Sequence, residues 1–204
     1  MNLISNCCVG GFLYEINNEQ FSNPFIWSMT NSDSFIYLLE NYDNINWDNI
    51  EFDKFKRSDG KLCYSIIVES KLRINYTHYL QGKKDDHEKK VGRDIYDWRA
   101  YEYTYKKYEQ RKQRMLDKKE APIFVILAEM KGKYDYNLNN LIRICQSNIK
   151  YKTIIITSFD ELKKYENDNL KIIIDKHPKN EKGWFTKDFA NLYNNTIMEF
   201  LNEK

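Results

Sequence analysis

Two adjacent cysteines, Cys7 and Cys8, stand where a short apolar run gives way to glycines at positions 10 and 11. The pattern predicts a strand from Leu3, a tight turn and then a helix, with a thiol at the helix N-terminus. Unpaired backbone N–H groups and the positive end of the helix dipole favour a thiolate at that position. One interpretation is therefore a cysteine nucleophile. The other is a pair of small buried side chains at the end of a core strand.

A cysteine nucleophile needs a base, usually a histidine, and the chain contains three histidines. His78 ends a predicted strand just before a charged segment, where a rigid scaffold presents a side chain to a cleft. His177 follows another apolar run and is the second candidate, whereas His87 lies between two acidic residues and is expected in solvent. These positions favour His78 as the partner of the thiol.

Other motifs argue against a metal and against a phosphate-binding loop. Cys63, Cys145 and the histidines are scattered singly, without the spacing of zinc ligands. Gly10 and Gly11 lack the third glycine of a dinucleotide-binding turn and the lysine of a phosphate-binding loop. The two glycines instead suit close approach of the backbone to a neighbouring strand or to a substrate, and both interpretations remain open.

A basic stripe lies along the longest predicted helix. Lys107, Arg111 and Arg114 recur at spacings of four and three residues, so they share one side of that helix. Such a stripe could hold a phosphate or a carboxylate, and a solvated charged face is the alternative.

Length and composition bound the class of protein. The chain has 204 residues, 42% of them hydrophobic, which is enough for one well-filled core, so we expect a single domain over residues 1–204. The net charge of +2 gives no reason to expect nucleic acid as a partner. The N-terminus does not resemble a signal peptide, no apolar run is long enough to span a bilayer, and the four cysteines form no disulfide framework. A cytoplasmic protein is therefore predicted.

Hydrophobic periodicity and turn signals predict the elements that would position these residues. In chain order they are a strand from residue 3, a helix at 9–16, a rigid loop at 22–27, a helix from Ser32 to near 44, strands at 50–55, 62–68 and 72–79, a charged loop or lid at 81–93, a helix at 95–117, a strand at 122–130, a helix at 138–145, strands at 153–157 and 170–175, and a helix at 185–201.

The alternation of strands and helices in the second half is typical of a parallel α/β layer. We expect the strand after residue 60 to join that layer in the antiparallel direction. The predicted fold class is thus α/β, a single domain with a central mixed sheet and flanking helices.

Several short segments, in this order, are similar to the papain-like Cys/His proteins of bacterial polysaccharide gene clusters. That group includes exopolysaccharide-biosynthesis proteins and capsule acetyltransferases that bind coenzyme A. The resemblance runs from residue 3 to about residue 160, and it rests on residues 4–11 (Ile-Ser-Asn-Cys-Cys-Val-Gly-Gly), 22–27 (Ser-Asn-Pro-Phe-Ile-Trp), a strand ending in His78, 105–114 (Tyr-Lys-Lys-Tyr-Glu-Gln-Arg-Lys-Gln-Arg) and 123–127 (Ile-Phe-Val-Ile-Leu).

The resemblance implies a papain-like site at the helix N-terminus, with Cys8 as the catalytic cysteine, His78 as the histidine and Cys7 as a structural residue. Ile26 stands where many relatives have aspartate, and Tyr79 follows His78 where they have aspartate. The carboxylate that would orient the histidine is therefore not identified, and the remaining candidates are Glu129 and Asp94.

The function implied by the resemblance is transfer of an acyl group, expected to be acetyl, from coenzyme A to a hydroxyl or amine of a sugar or nucleotide-sugar during glycan assembly. His78 would act as general base toward Cys8 or toward the acceptor. Ser5, Asn6, Gly10 and nearby backbone N–H groups would stabilise the oxyanion or support the site. Lys107, Arg111 and Arg114 would bind the phosphates of coenzyme A. A lid at 81–93 would exclude water.

Two other functions stay open. Water could be the acceptor, which would make the protein a cysteine hydrolase or peptidase. Alternatively, the chain could be a non-catalytic glycan-binding module in which Trp27, Trp98 and several tyrosines stack on sugar rings. An ordinary cysteine pKa at Cys8 would favour binding alone.

Overall fold

Seven strands and five α-helices make up the computed structural model, which describes residues 2–56, 62–76, 93–118, 120–128, 137–176 and 186–202. In chain order they are β1 (Leu3–Ser5), α1 (Val9–Ile16), α2 (Ser32–Asn41), β2 (Ile50–Lys56), β3 (Leu62–Val68), β4 (Leu72–Tyr76), α3 (Arg93–Asp117), β5 (Ile123–Ala128), α4 (Leu138–Ser147), β6 (Thr153–Thr157), β7 (Leu170–Ile174) and α5 (Lys187–Asn202).

Four of the strands form a parallel sheet in the order β1-β5-β6-β7. Ile4 pairs with Phe124 and Ile155 with Ile172, so the strands run in register from one edge to the other. Strands β5 and β6 are buried on both faces, as near-continuous apolar runs predict for a sheet covered by helices on each side. The parallel α/β layer expected from the second half of the sequence is confirmed.

The other three strands form a separate antiparallel meander, β2-β3-β4. The expected single mixed sheet is therefore wrong. The outer edge of β4 is taken by Met29, which forms an isolated antiparallel bridge with Asn75, so in the described residues this edge does not pair with the parallel sheet. The two sheets nevertheless share one core, because Ile66 and Ile74 of the meander belong to the same buried cluster as β5 and β6. The molecule is thus a single mixed α/β domain with two sheets.

Helices cover both faces of the parallel sheet. A Cβ on Gly10 of α1 would lie 2.8 Å from the Cβ of Ser5, so α1 packs on the Ser5 face of β1. The ring of Phe35 in α2 meets the ring of Phe124 edge to face at 6.2 Å. Phe124 shares the face of its register partner Ile4, and neighbouring strand residues point to opposite faces. Helices α1 and α2 therefore lie on opposite faces, with α5 packed against α1 and α4 against α2.

Helix ends differ in detail from the sequence prediction. The cap of α2 is Asn31, whose side chain accepts from the N–H of Ser34, and the helix itself begins at Ser32 and ends at Asn41. A 3-10 turn at Tyr42–Asn44 continues α2, and a second one, Asp160–Tyr165, connects β6 to β7. No helix among the described residues is both long and apolar enough to cross a membrane.

Side chains close both outer edges of the parallel sheet. At β1 the N–H of Leu3 donates to the Tyr14 hydroxyl at 3.0 Å, and the Leu3 carbonyl accepts from Nδ2 of Asn23 at 2.6 Å. At β7 the N–H of Ile172 donates to the Glu166 carboxylate at 2.8 Å, and the Ile172 carbonyl accepts from Nζ of Lys163 at 2.7 Å. On each edge strand, one residue thus has both of its outward-facing peptide groups paired by side chains.

Candidate functional site

Cys8 is the residue that begins α1, as the sequence predicts. Its backbone is already helical (φ −61°, ψ −15°), its carbonyl accepts from the N–H of Phe12 at 3.3 Å, and its side chain makes no capping hydrogen bond. The Cys8 side chain is 5% exposed, whereas Cys7 is completely buried. Both cysteines are thus buried, and Cys8 is the slightly more exposed of the two.

A crevice is expected beside Cys8 from the path of the chain. Helix α1 follows β1 on one face of the sheet, and α4 follows β5 on the side of α2, which is the other face. Strands β1 and β5 are parallel neighbours, so the helices that follow them along the chain diverge to opposite faces of the sheet. Such a divergence is where open α/β sheets bind ligands. Cys8 lies on the β1 side of this position.

Asn6 fastens the end of β1 to β5. Its Nδ2 donates to the carbonyl of Leu127 at 2.9 Å, and its Oδ1 accepts from the N–H of Leu127 at 3.0 Å. The side chain thereby continues the pairing of β1 with β5 beyond Ser5. This use of the amide makes Asn6 a positioning residue for the turn, and the oxyanion or support role expected from the sequence stays a prediction.

Ser5 and Cys7 form the turn that leads into α1. The Ser5 hydroxyl accepts from the N–H of Cys7 at 3.4 Å and lies 3.9 Å from its sulfur. The N–H of Gly10 donates to the Cys7 carbonyl at 3.4 Å. Burial raises the pKa of the Cys7 thiol to about 12, against the hydrogen bond from Val9 that lowers it. Cys7 is therefore a neutral thiol that completes the start of the helix.

The expected thiolate at Cys8 does not follow from the described residues. Burial raises the pKa of the Cys8 thiol to about 11, and the hydrogen bond from its own backbone N–H offsets only part of that rise. Loss of hydration disfavours the charged form more than the helix start favours it. At neutral pH, Cys8 is a neutral thiol, so attack on a substrate requires a base.

The two glycines have packing reasons. Gly10 allows α1 to approach β1, because a Cβ would lie 2.8 Å from Ser5 and 3.4 Å from Leu3. Gly11 lies under the indole of Trp27, where a Cβ would come within 2.7 Å of the ring. Of the two interpretations in the sequence, close approach to protein is the one the structure shows. The role of Gly10 is thus support for the position of Cys8.

The basic stripe faces the protein more than it faces solvent. Arg111 is buried and donates to the carbonyl of Ile26 at 2.6 Å, and Arg114 donates to the carbonyl of Phe21 at 3.0 Å. Lys107 is half-buried, with its ammonium 5.3 Å from the ring centre of Tyr103. The two arginines therefore hold the loop after α1. The contact given for Lys107 is with Tyr103 of the same helix and not with that loop.

The predicted partners of Cys8 lie largely outside the described residues. This applies to His78, His87, His177, Glu129 and residues 81–92 of the predicted lid, and the structure describes only the backbone of Asp94 and of Trp98.

The strand that precedes His78 is linked to the turn that carries Cys8. The N–H of Thr30 donates to the Asn6 carbonyl at 3.0 Å. The neighbouring Met29 exchanges two backbone hydrogen bonds with Asn75 of β4, each 2.9 Å long. The short segment at Met29 and Thr30 thus joins the end of β1 to the end of β4. Two backbone pairings, Asn6 with Thr30 and Met29 with Asn75, therefore link the turn before Cys8 to the carboxyl end of β4.

The sequence did not predict the role of the loop that follows α1. Its Asn23 side chain pairs with Leu3 and with the N–H of Phe25, and its Pro24 carbonyl accepts from the Tyr76 hydroxyl at 2.7 Å. The Asn-Pro pair and the following aromatic residues signalled a rigid loop, and Phe25 is indeed buried. The loop connects both sheets and α3 through its contacts with Leu3, Tyr76 and Arg111. These residues are distant in sequence from the loop, so a local pattern does not report the contacts.

Comparisons with known proteins do not identify the chain. No protein-family model matches it, and no curated protein is significantly similar to it. The arrangement around Cys8 must therefore support any functional assignment by itself.

Proposed function

We propose that this protein transfers an acyl group, acetyl in the simplest case, from coenzyme A to a sugar hydroxyl or amine, through Cys8. The observation that carries the proposal is the place of Cys8. Its thiol begins a helix beside the divergence of β1 and β5, and it is the more exposed of two adjacent thiols.

In the proposed reaction, a base takes the proton of the Cys8 thiol while the sulfur attacks the thioester carbonyl of acetyl-coenzyme A. The carbon–sulfur bond to coenzyme A breaks, and the departing thiolate receives the proton from the base. The acceptor hydroxyl or amine then loses its proton to the same base and attacks the acetyl–Cys8 thioester. The acetyl group moves to the acceptor, and Cys8 recovers its proton.

The raised pKa of Cys8 defines what the base must do. A thiol with a pKa of about 11 is neutral at pH 7, so a base must take its proton for the sulfur to attack. His78 is the proposed base, because β4 ends two residues before it and is tied to the Cys8 turn through Met29 and Thr30. This pairing stays a prediction of the sequence.

Charge that develops on the thioester oxygen needs a donor close to the attacking sulfur. The backbone N–H of Cys8 belongs to the same residue as the attacking sulfur and lowers the pKa of the thiol, so it stands next to the reacting atom. Ser5, Asn6 and Gly10 act indirectly by fixing the turn and the start of α1. Phosphate groups of coenzyme A are proposed to meet Lys107, while Arg111 and Arg114 hold the adjoining loop.

The first test uses protein-bound acetyl as its readout. The protein is incubated with acetyl-coenzyme A without acceptor, quenched in acid and analysed by intact and peptide mass spectrometry. We expect one acetyl group on Cys8, none in Cys8→Ala, and an undiminished amount in Cys145→Ala, which removes another buried thiol. Acetylation of Cys8→Ala at the rate of the unaltered protein would remove Cys8 from the mechanism.

The pH dependence of acetyl–Cys8 formation tests the base. With a histidine base, the rate should rise with pH and level off near pH 7, the usual range of histidine. In His78→Ala, the rate of acetyl–Cys8 formation at pH 7 should fall, and the rate should keep rising with pH toward about pH 11, the pKa of the thiol.

The fate of the acetyl group on Cys8 separates the two enzymatic functions. Rapid loss of the acetyl group to water without a sugar would favour the hydrolase. Its retention until glucosamine is added would favour the transferase.

A further inference from the structure

Trp27 has a backbone conformation that large residues rarely adopt. Its φ is +59°, in the left-handed region, where a side chain with a Cβ is strained. Hydrogen bonds on both sides impose it, because the carbonyl of Ile26 accepts from Arg111 at 2.6 Å and the N–H of Ser28 donates to the Phe25 carbonyl at 3.2 Å. A glycine at this position would fit the same path without strain.

The indole of Trp27 lies flat against α1. A Cβ on Gly11 would lie 2.7 Å and 2.8 Å from Cδ2 and Cε2 of the ring, so only a glycine permits this approach. The ring of Phe12 meets the indole edge to face at 4.7 Å. Trp27 is nevertheless half-buried and not fully buried, so part of the ring remains at the surface.

The indole rests on Gly11 and Phe12, which follow Cys8 by one helical turn along α1. Cys8 already has helical dihedral angles, and its carbonyl accepts from the N–H of Phe12. Residues three and four apart lie on the same face of a helix, so Cys8, Gly11 and Phe12 share the face on which Trp27 rests. The ring therefore lies on the side of α1 that carries Cys8, where it also packs against the edge of the buried core.

We infer that Trp27 is a wall of the Cys8 site, where its indole stacks against the apolar face of the acceptor sugar ring. This inference rests on the proposed function and adds the residue that holds the acceptor. Sugar rings offer a flat array of C–H groups, for which a partly exposed indole is a large and rigid partner. Placing an indole here requires a strained backbone and a glycine beneath it, which a simple apolar cover for α1 would not require.

The kinetic test is Trp27→Gly, which removes the ring and relieves the strain together. We expect a modestly lower melting temperature, because relief of the strain at φ +59° offsets only part of the lost contacts with Gly11 and Phe12. The KM for glucosamine should rise about tenfold, while acetyl–Cys8 formation stays within about twofold. The KM of Trp27→Phe for glucosamine should lie between those of the unaltered protein and Trp27→Gly. Lower acetyl–Cys8 formation with an unchanged KM would overturn the role in acceptor binding.

A binding test separates this inference from the proposed function. Saturation-transfer NMR with glucosamine and methyl β-glucoside should show binding to the unaltered protein and to Cys8→Ala, and its loss in Trp27→Gly. Trp47→Phe, which changes a buried tryptophan, is the matched control and should retain binding. This pattern would support the wall even if Cys8 were never acetylated. Equal binding to Trp27→Gly, or no binding of either sugar to the unaltered protein, would overturn it.

Discussion

The two outer edges of the parallel sheet are closed by different chemistry. At β1, the peptide groups of Leu3 pair with the side chains of Tyr14 and Asn23, all neutral and completely buried or nearly so. At β7, those of Ile172 pair with Glu166 and Lys163, whose side chains are 25% and 49% exposed. One edge depends on buried hydrogen bonds, and the other depends on an ion pair that water and salt can screen.

The difference follows the place of the candidate site. Strand β1 leads directly into the turn that carries Cys8, so a shift of β1 would move the thiol. Neutral buried groups hold that strand in the same way over a wide range of pH and salt. Strand β7 lies at the far side of the sheet, where a weaker and more adaptable closure suffices to block pairing with another strand.

The strongest way to break the comparison is to remove Asn23. In Asn23→Leu, the buried carbonyl of Leu3 and the N–H of Phe25 both lose their partner. We expect the free energy of unfolding to fall by about 3 kcal/mol, since each orphaned buried group costs about 1–3 kcal/mol. Urea titration measures it, and Asn191→Leu on the exposed side of α5 is the control. A loss as small as that of the control would show that β1 does not need this closure.

The elements on either side of Cys8 could be predicted because their signals are local. The helix Val9–Ile16 and the strands Leu62–Val68 and Thr153–Thr157 follow from periodicity and turn residues within a few positions. The pairing of Asn23 with Leu3 spans 20 residues and leaves no such signal. The same holds for the bridge from Met29 to Asn75, which separates the meander from the parallel sheet.

The chemistry of the site was predicted less well than its position. A thiol at a helix start was correct, but the direction of its pKa depends on burial, which a sequence pattern does not report. The arginines of α3 share one side, as predicted, but that side meets a loop whose course is set elsewhere. Trp27 at a positive φ likewise has no sequence signal, because non-glycine residues rarely adopt it.

A smaller effect at the same edge is expected from Tyr14→Phe. The variant keeps the ring and removes the hydroxyl that accepts from Leu3 and lies 2.7 Å from the Ser22 hydroxyl. One backbone group is orphaned, and Asn23 keeps its bond to Leu3, so we expect a loss of about 2 kcal/mol in urea titration. Tyr37→Phe, at a half-buried site, is the matched control and should lose less. Equal losses would mean that water replaces the Tyr14 hydroxyl.

The smallest effect, and the only one of the three that depends on pH, is expected at β7 from Glu166→Gln. Burial raises the pKa of Glu166, but hydrogen bonds from Lys163 and Ile172 outweigh it, so the net pKa lies below the ordinary 4.5. A lowered carboxyl pKa stabilises the fold above the unfolded value, and this stability is lost as the pH falls through the folded pKa.

The free energy of unfolding of the unaltered protein should therefore exceed that of Glu166→Gln by less than about 1 kcal/mol at pH 7, and the difference should shrink as the pH falls below the ordinary carboxyl pKa of 4.5. Added salt should reduce it at pH 7, unlike the loss in Tyr14→Phe. Glu161→Gln, exposed in the same 3-10 turn, controls for the change in charge. A pH-independent difference would mean that the Gln side chain fails to pair with Ile172, and the two edges would then rely on the same kind of hydrogen bond.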